Sequence, residues 1–438
     1  MSVFRLSMAI PHLPVGMALL FLAGVSAVPG ADWPQFLGPT RNGAGPEVTL
    51  SPWPPDGPVA VWEAPVGEGF SSPVVADGTV HLFHRTDDRE LLSAWNLSSG
   101  KRVWEAGFPT DYSDDLGSGD GPKSTPAVAG NRLFCLSPAG VLRAVSRKDG
   151  RKLWEVDLMK QFDAGRGFFG FATSPLVVSN RVVVQVGGEG AGTVAFDAAD
   201  GSVAWKAGSD EAGYGSPTVW KRDGRTLVLA FNRAGAVAHA VDDGAERFRF
   251  PWRSRMHASV NAATPLVFPD GLFLTASYGT GAAWVRPEGT GAKVLWSGDD
   301  ILSAHFTTPA EADGFLYGFH GRHESGPSFR CVERASGRVR WNQDGMGSGS
   351  VVRIGKQLLV LLETGEMRVL AVDPDKPREI ARFQVCGSGA RMVPALADGF
   401  LVVRDRSRIR VRRLPSEINP PATPGTSTPP SRAAGSGR

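Results

Sequence analysis

The sequence predicts an all-β fold: an eight-bladed β-propeller of four-stranded antiparallel blades. Three observations carry this reading. A short run of Ser, Thr, Ala or Gly, usually ending in Pro, leads again and again into an apolar strand. It does so at Ser72-Pro73, Thr125-Pro126, Ser174-Pro175, Ser216-Pro217, Thr264-Pro265, Thr308-Pro309 and Val393-Pro394, with a copy lacking Pro near Ser348–Ser350. The prolines lie 53, 49, 42, 48 and 44 residues apart as far as Pro309, and 85 residues, two periods, separate Pro309 from Pro394. A strand-built period of roughly 40–50 residues is that of a propeller, one sheet per repeat.

The second observation is a Gly four residues before a Trp. It occurs in AWNLSSGKRVW (94–104), AVSRKDGRKLW (144–154), AFDAADGSVAW (195–205) and CVERASGRVRW (331–341). Gly supplies the positive φ of a tight hairpin, and the Asp or Ser before it bonds the turn backbone. The strand then runs to a Trp whose apolar face can dock between neighbouring sheets. Weaker copies end at Phe248, Trp296 and Phe383.

The third observation is the tally of strand ends. Trp62, Trp104, Trp154, Trp205, Phe248, Trp296, Trp341 and Phe383 give eight ends for eight starts, but Trp62 precedes the first start. The N-terminal strand 59–64 is therefore expected to complete the last blade, leaving no open radial edge. A seven-bladed ring with 59–64 as a loose lead-in is the competing arrangement.

The docking repeat resembles that of secreted bacterial propellers with PQQ-like repeats, the quinoprotein-dehydrogenase-like propeller fold. Further stretches carry the likeness: DWPQFLGPTRNG (32–43), GEGFSSPVVADG (67–78), GFATSPLVV (170–178), DEAGYGSPTV (210–219), VNAATPLVF (260–268), SYGTGAA (277–283) and RFQV (382–385). The resemblance covers about residues 32–414 and implies an eight-bladed propeller and export. The alcohol-oxidising branch would add PQQ, Ca²⁺, a catalytic Asp and adjacent cysteines. This chain has no Cys-Cys pair and no recognisable Asp motif in a mouth loop, so neither cofactor nor activity is carried over.

Composition agrees. The chain has 438 residues, 42% hydrophobic, with 54 Gly and 33 Pro, a load suited to many short strands. A formal net charge of +3 argues against nucleic acid as a partner. The alternating arginines Arg404, Arg406, Arg408, Arg410 and Arg412, with Arg413, are expected to form a solvated face of the final blade.

Residues 1–31 are expected to be a signal peptide. Arg5 precedes an apolar stretch, Val15–Ala27, too short to span a bilayer, and small residues follow. The protein should then be exported, to the periplasm or beyond, with no transmembrane span after cleavage. Residues 415–438, rich in Pro, Thr, Ser and Gly, are expected to form a disordered tail. Cys135, Cys331 and Cys386 permit one disulfide at most, and sequence does not choose the pair.

Function is expected at the central mouth, lined by the long loops that join each outermost strand to the next innermost one. Residues just before the strand starts should point there: Phe70, Lys123, Phe171, Tyr214, Asn261, His305, Phe306 and Arg391. Aromatic walls with a few cations and amides suit a planar or anionic ligand. His257 and His305 are the histidines placed for ligand contact; His81 and His84 should face opposite ways on a strand, and His320, His323 and Glu324 are a weak metal set. The acidic loop 111–120 lacks EF-hand spacing and reads as solvated. Gly187–Gly190 and Gly279–Gly281 read as tight turns, since no helix follows them. The function expected is a non-catalytic binding or scaffold protein, a monomer, taking a protein, peptide or small anionic ligand and no cofactor. It would be similar in kind to the propeller subunit that assists outer-membrane protein assembly, without that protein's lipid-bearing Cys. The alternatives are a PQQ-dependent dehydrogenase with Ca²⁺ and a divergent site, and a structural cell-surface module.

Overall fold

The computed structural model describes residues 32–253, 256 and 261–415. The expected signal peptide, the tail beyond 415 and His257 lie outside them. Among the described residues, eight four-stranded antiparallel sheets form the eight-bladed propeller, and helix is confined to a five-residue turn at Leu158–Phe162 and a 3-10 turn at His323–Ser325. Blade 1 is representative: Val74–Ala76, Thr79–Thr86, Arg89–Asn96 and Arg102–Pro109 run outward from the axis.

The eighth blade closes as the strand ends require. Val59–Pro65 pairs antiparallel with Arg408–Arg413, setting Trp62 opposite Val411, so both ends of the propeller chain share one sheet. The arginines of this blade form a solvated face only in part: Arg406, Arg408 and Arg413 are exposed, and the others are drawn into the structure. Arg404 is fully buried and donates to Gly67 O at 2.8 Å. Arg408 and Arg410 pair with Glu63, and Arg410 also pairs with Asp405. Arg412 donates to the carbonyls of Val385 and Pro58. The sequence pattern marks a strand face; Glu63 and Asp405, invisible to periodicity, neutralise Arg408 and Arg410, and backbone carbonyls take Arg404 and Arg412.

The Gly-x-x-x-Trp mark acquires a second physical reason. Five of the strand-end Trp residues lie over the hairpin Gly of the next blade, while Trp341 donates to Asp373 O in a hairpin that has Lys376 in place of the Gly. The Trp62 ring covers Gly100, Trp104 covers Gly150, Trp154 covers Gly201, Trp205 covers Gly244 and Trp296 covers Gly337. A Cβ at Gly100 would sit 2.6 Å from Trp62, and one at Gly201 would sit 2.8 Å from Trp154. The same indoles donate N–H to the carbonyl three residues before that Gly: Trp62 to Leu97 at 2.7 Å, Trp104 to Arg147 at 2.8 Å, Trp154 to Ala198 at 3.2 Å, Trp205 to Val241 at 2.7 Å and Trp296 to Arg334 at 2.8 Å. The residue thus needs both positive φ and no side chain. Phe383 takes the place of Trp at the seventh blade, covering Gly57 and stacking on Trp53 at 5.7 Å.

A second belt runs around the axis and explains the Ser/Thr-Pro mark. Ser72 N–H donates to Thr125 Oγ1, Thr125 N–H to Ser174 Oγ, Ser174 N–H to Ser216 Oγ, Thr264 N–H to Thr308 Oγ1 and Val393 N–H to Ser72 Oγ, each at 2.9–3.0 Å. Hydroxyls from one blade thereby satisfy buried amides of its neighbour. Cys135, Cys331 and Cys386 are buried and free, so no disulfide links the blades.

Candidate functional site

The axis is not an open channel. The segment after Asp32 rises along it and turns back. Trp33 pairs with Val75, Pro34 O accepts the Val128 amide, and Gly43 and Gly45 bond Arg353, which ties blades 1, 2 and 7 together. Gly38, at φ 79°, makes the reversal; a Cβ there would meet the Trp33 ring at 2.9 Å. Arg41, almost fully buried, ends in the axis. Its guanidinium donates to Pro217 O at 2.6 Å, to Ser174 O at 3.3 Å, to Pro175 O and, through Nε, to Gln35 Oε1 at 2.8 Å. These acceptors are all neutral, and burial pulls Arg41 down to about 9. Sequence reading saw in DWPQFLGPTRNG only a family likeness. Its signal as a plug was a lone Arg outside the repeat period, flanked by glycines and aromatics.

Above the plug lies a blind cup of about 360 Å³, lined from all eight blades, with Phe36 and Leu37 of the plug contributing to it. Six of the eight expected mouth residues line it: Phe70, Lys123, Tyr214, His305, Phe306 and Arg391. Phe171 does not. It is buried in the core between blades 2 and 3, its ring against Gly140 and its amide bonded to Pro138 O. Gly170, at φ 70°, turns the chain so that Phe169 faces the cup instead. Asn261 is also absent from the lining. Its side-chain amide donates to Asn232 O and Trp252 O, each at 2.8 Å, and its backbone carbonyl accepts the Tyr214 and Gly215 amides, so it ties blades 4 and 5 together.

The cup's cations are already paired. Lys123 Nζ lies 3.0 Å from Asp114 Oδ2 and 3.0 Å from Gly119 O. Burial lowers Lys123 from its ordinary value. Burial would raise Asp114, but Ser118, Lys123 and the Leu116 amide outweigh it and hold the carboxyl below its usual range. The acidic loop is therefore an internally bonded bracket for Lys123 rather than a solvated run. Two blades away, Arg391 Nε lies 3.1 Å from Glu363 Oε1, and Arg391 also lies over the Phe70 ring at 5.7 Å.

Two histidines are fixed beside it. Arg391 Nη2 is 2.8 Å from His323 Nε2; guanidinium has no acceptor, so Nε2 must accept and the proton sits on Nδ1, towards Ser348 and Glu363. The His323 amide donates to His305 Nδ1 at 3.3 Å, which leaves His305 Nε2–H for Tyr278 at 3.0 Å. Burial pushes His305 below its ordinary value. His320 instead accepts the Ser303 amide, and among the described residues no three His, Cys, Asp or Glu side chains converge as metal ligands.

PQQ with Ca²⁺ does not fit this donor set. Glu324 is the carboxylate that lines the cup, and it pairs with Arg322; none of the three cysteines lines it. Adjacent cysteines, and a carboxylate cage to hold the cation that would polarise a quinone, have no counterpart in this lining.

Comparison with known proteins agrees with this architecture. Among solved structures, BamB from Moraxella catarrhalis superposes with a TM-score of 0.58 at 16% identity, over 81% of this chain and 97% of that one. A quinohemoprotein alcohol dehydrogenase from Pseudomonas putida HK5 gives 0.59 at 14%, over 92% and 83%. Both show the shared fold. Among curated proteins, outer membrane protein assembly factor BamB of Shewanella oneidensis is 25% identical over 385 residues, 82% of this chain and 89% of that protein, and its Yersinia pestis counterpart is 23% identical over 346 residues, 74% and 82%. The family model described as outer membrane protein assembly factor BamB matches residues 54–166 and 167–343, and the chain belongs to this family of PQQ-like-repeat propellers.

Proposed function

We propose that this protein is an exported, non-catalytic scaffold of the periplasm or cell exterior that holds a partner protein in its axial cup, in the service of outer-membrane assembly. One observation carries the reading: loops from all eight blades and the N-terminal plug converge on a single aromatic-walled cup whose charged groups are engaged with one another. Such a site offers shape and apolar surface, and its described cations and carboxylates are engaged with one another rather than poised for a reaction. The family relatives are, by name, assembly factors, which supports a binding role.

Site-specific photocrosslinking tests it. A crosslinker at Phe306 is expected to trap an envelope protein in cells, and one at Lys101, on an outer hairpin, is expected to trap none. Adducts from position 101 alone would move the functional surface off the cup. Purified protein incubated with PQQ and Ca²⁺, then desalted, is expected to keep no quinone absorbance; stoichiometric retention would favour the dehydrogenase reading.

A further inference from the structure

We infer that the cup receives an uncharged aromatic side chain carried on a peptide of the partner, not an anion. The inference rests on the scaffold reading above and names what that site recognises. The cations that would attract an anion are committed: Lys123 to Asp114 and Gly119 O, Arg391 to Glu363 and His323, and Arg41 to axial carbonyls beneath. Lys123 and Arg391 keep N–H groups to spare, but an anion reaching them would share each cation with the carboxylate that already neutralises it, Asp114 or Glu363, and would meet that carboxylate's like charge. A cationic ligand fares no better, since Asp114 and Glu363 are held by those same cations and Glu324 pairs with Arg322.

The large side chains of the rest of the lining are rings and methylenes, and of the small hydroxyl residues between them Ser72, Ser174, Ser216 and Thr308 already accept a neighbouring blade's amide. Phe70, Phe169 and Phe306 form walls, Phe36 and Leu37 come from the plug, and Met392 adds a polarizable side chain. His305 and His323 flank Phe306, with ring centroids 5.3 and 6.0 Å away, which holds that ring in place. A volume of about 360 Å³ lies at the small end of ligand pockets and suits one or two rings rather than a folded element. An incoming ring can pack edge-to-face against these walls, which adds to the gain from its buried area.

One polar group adds direction. The Tyr214 phenol oxygen accepts the Phe169 amide at 3.0 Å, so Tyr214 can offer an occupant only its O–H proton. A backbone carbonyl beside the inserted ring is the natural acceptor. The recognised unit is thus an aromatic residue within a chain, with both flanking peptide groups intact.

Titration of the full chain with small probes, followed by calorimetry or NMR, tests this. The probes are N-acetyltryptophanamide, N-acetyltryptophan and N-acetyllysinamide. The neutral aromatic amide is expected to bind saturably, and Phe306→Ala to weaken it by about tenfold, equivalent to about 1.4 kcal/mol. Should Phe306→Ala unfold, Phe306→Leu keeps the bulk and removes the ring, and the same direction of loss is expected. The carboxylate probe should bind no more tightly than the amide. Tighter binding of the carboxylate or lysine probe, absence of saturable binding by the amide, or indifference to loss of the Phe306 ring would each overturn the inference. Crosslinking from position 306 separates the two levels. A trapped partner with no probe binding removes the aromatic ligand and keeps the scaffold; probe binding with no trapped partner does the reverse.

Discussion

At the rim of the ring, blade after blade solves one problem the same way: a Trp lies flat over the next blade's hairpin Gly and donates to a carbonyl there. At the axis the residues before each strand start differ from blade to blade, and a segment from outside the repeat fills the space between them. The rim is redundant and directed at stability. Inside the repeated hydroxyl belt the cup is singular, and its charged groups are arranged for position rather than for repetition. The difference teaches where to look in a repeat protein: the period holds the fold, and departures from the period make the site.

The largest effect should come from breaking the rim. Trp154 is buried against Phe134 and covers Gly201, so Trp154→Ala is expected to destabilise by about 3–5 kcal/mol, seen as a lowered denaturant midpoint. Gly201→Val should fail similarly, because it places a branched side chain at φ 77° beneath that ring.

The plug should come next. Arg41→Met keeps the length of the side chain but strands the carbonyls of Ser174, Pro175 and Pro217, an expected loss on the order of 1–3 kcal/mol. Limited proteolysis should then cut first within 33–50. Unchanged stability would mean that the plug is a passenger.

A smaller, pH-dependent effect sits between blades 1 and 2. His81 is fully buried against Trp104 at 5.7 Å with neither ring nitrogen hydrogen-bonded, and burial lowers it from 6.5 to about 3. The unfolded chain therefore takes up a proton as pH falls through 6.5, and the folded chain does not until about 3. Stability falls across that window as the pH drops. His81→Phe should remove part of the fall, on the order of 1–2 kcal/mol at pH 5, while the other buried histidines, His84 lowered to about 3 among them, keep the remainder. Identical acid-unfolding curves for the two proteins would contradict this.

Legibility followed the same division. The blade count, the closing strand and the docking Trp residues were readable because each is written in a local, repeated pattern. Six mouth residues were readable because the strand starts fix their place along the chain. Phe171 was misread because the turn at Gly170 shifts the facing residue to Phe169, and spacing alone carries no turn geometry. Asn261 was misread because a polar side chain at a blade junction is needed to satisfy backbone groups there. The neutral state of the cup was hidden because Asp114 and Glu363, the partners of Lys123 and Arg391, enter from other loops. Arg41 was hidden because it belongs to no repeat.

The most direct test of the central claim sets the cup against the rim in one assay. Affinity for the partner trapped from position 306 is measured, with melting temperature, for the double variant Phe70→Ala/Phe306→Ala and for Lys101→Ala. The account predicts at least about a tenfold loss of affinity in the cup variant with its fold retained, and no loss at Lys101. Equal affinities for the two proteins, or a loss at Lys101 matching that of the cup variant, would contradict it.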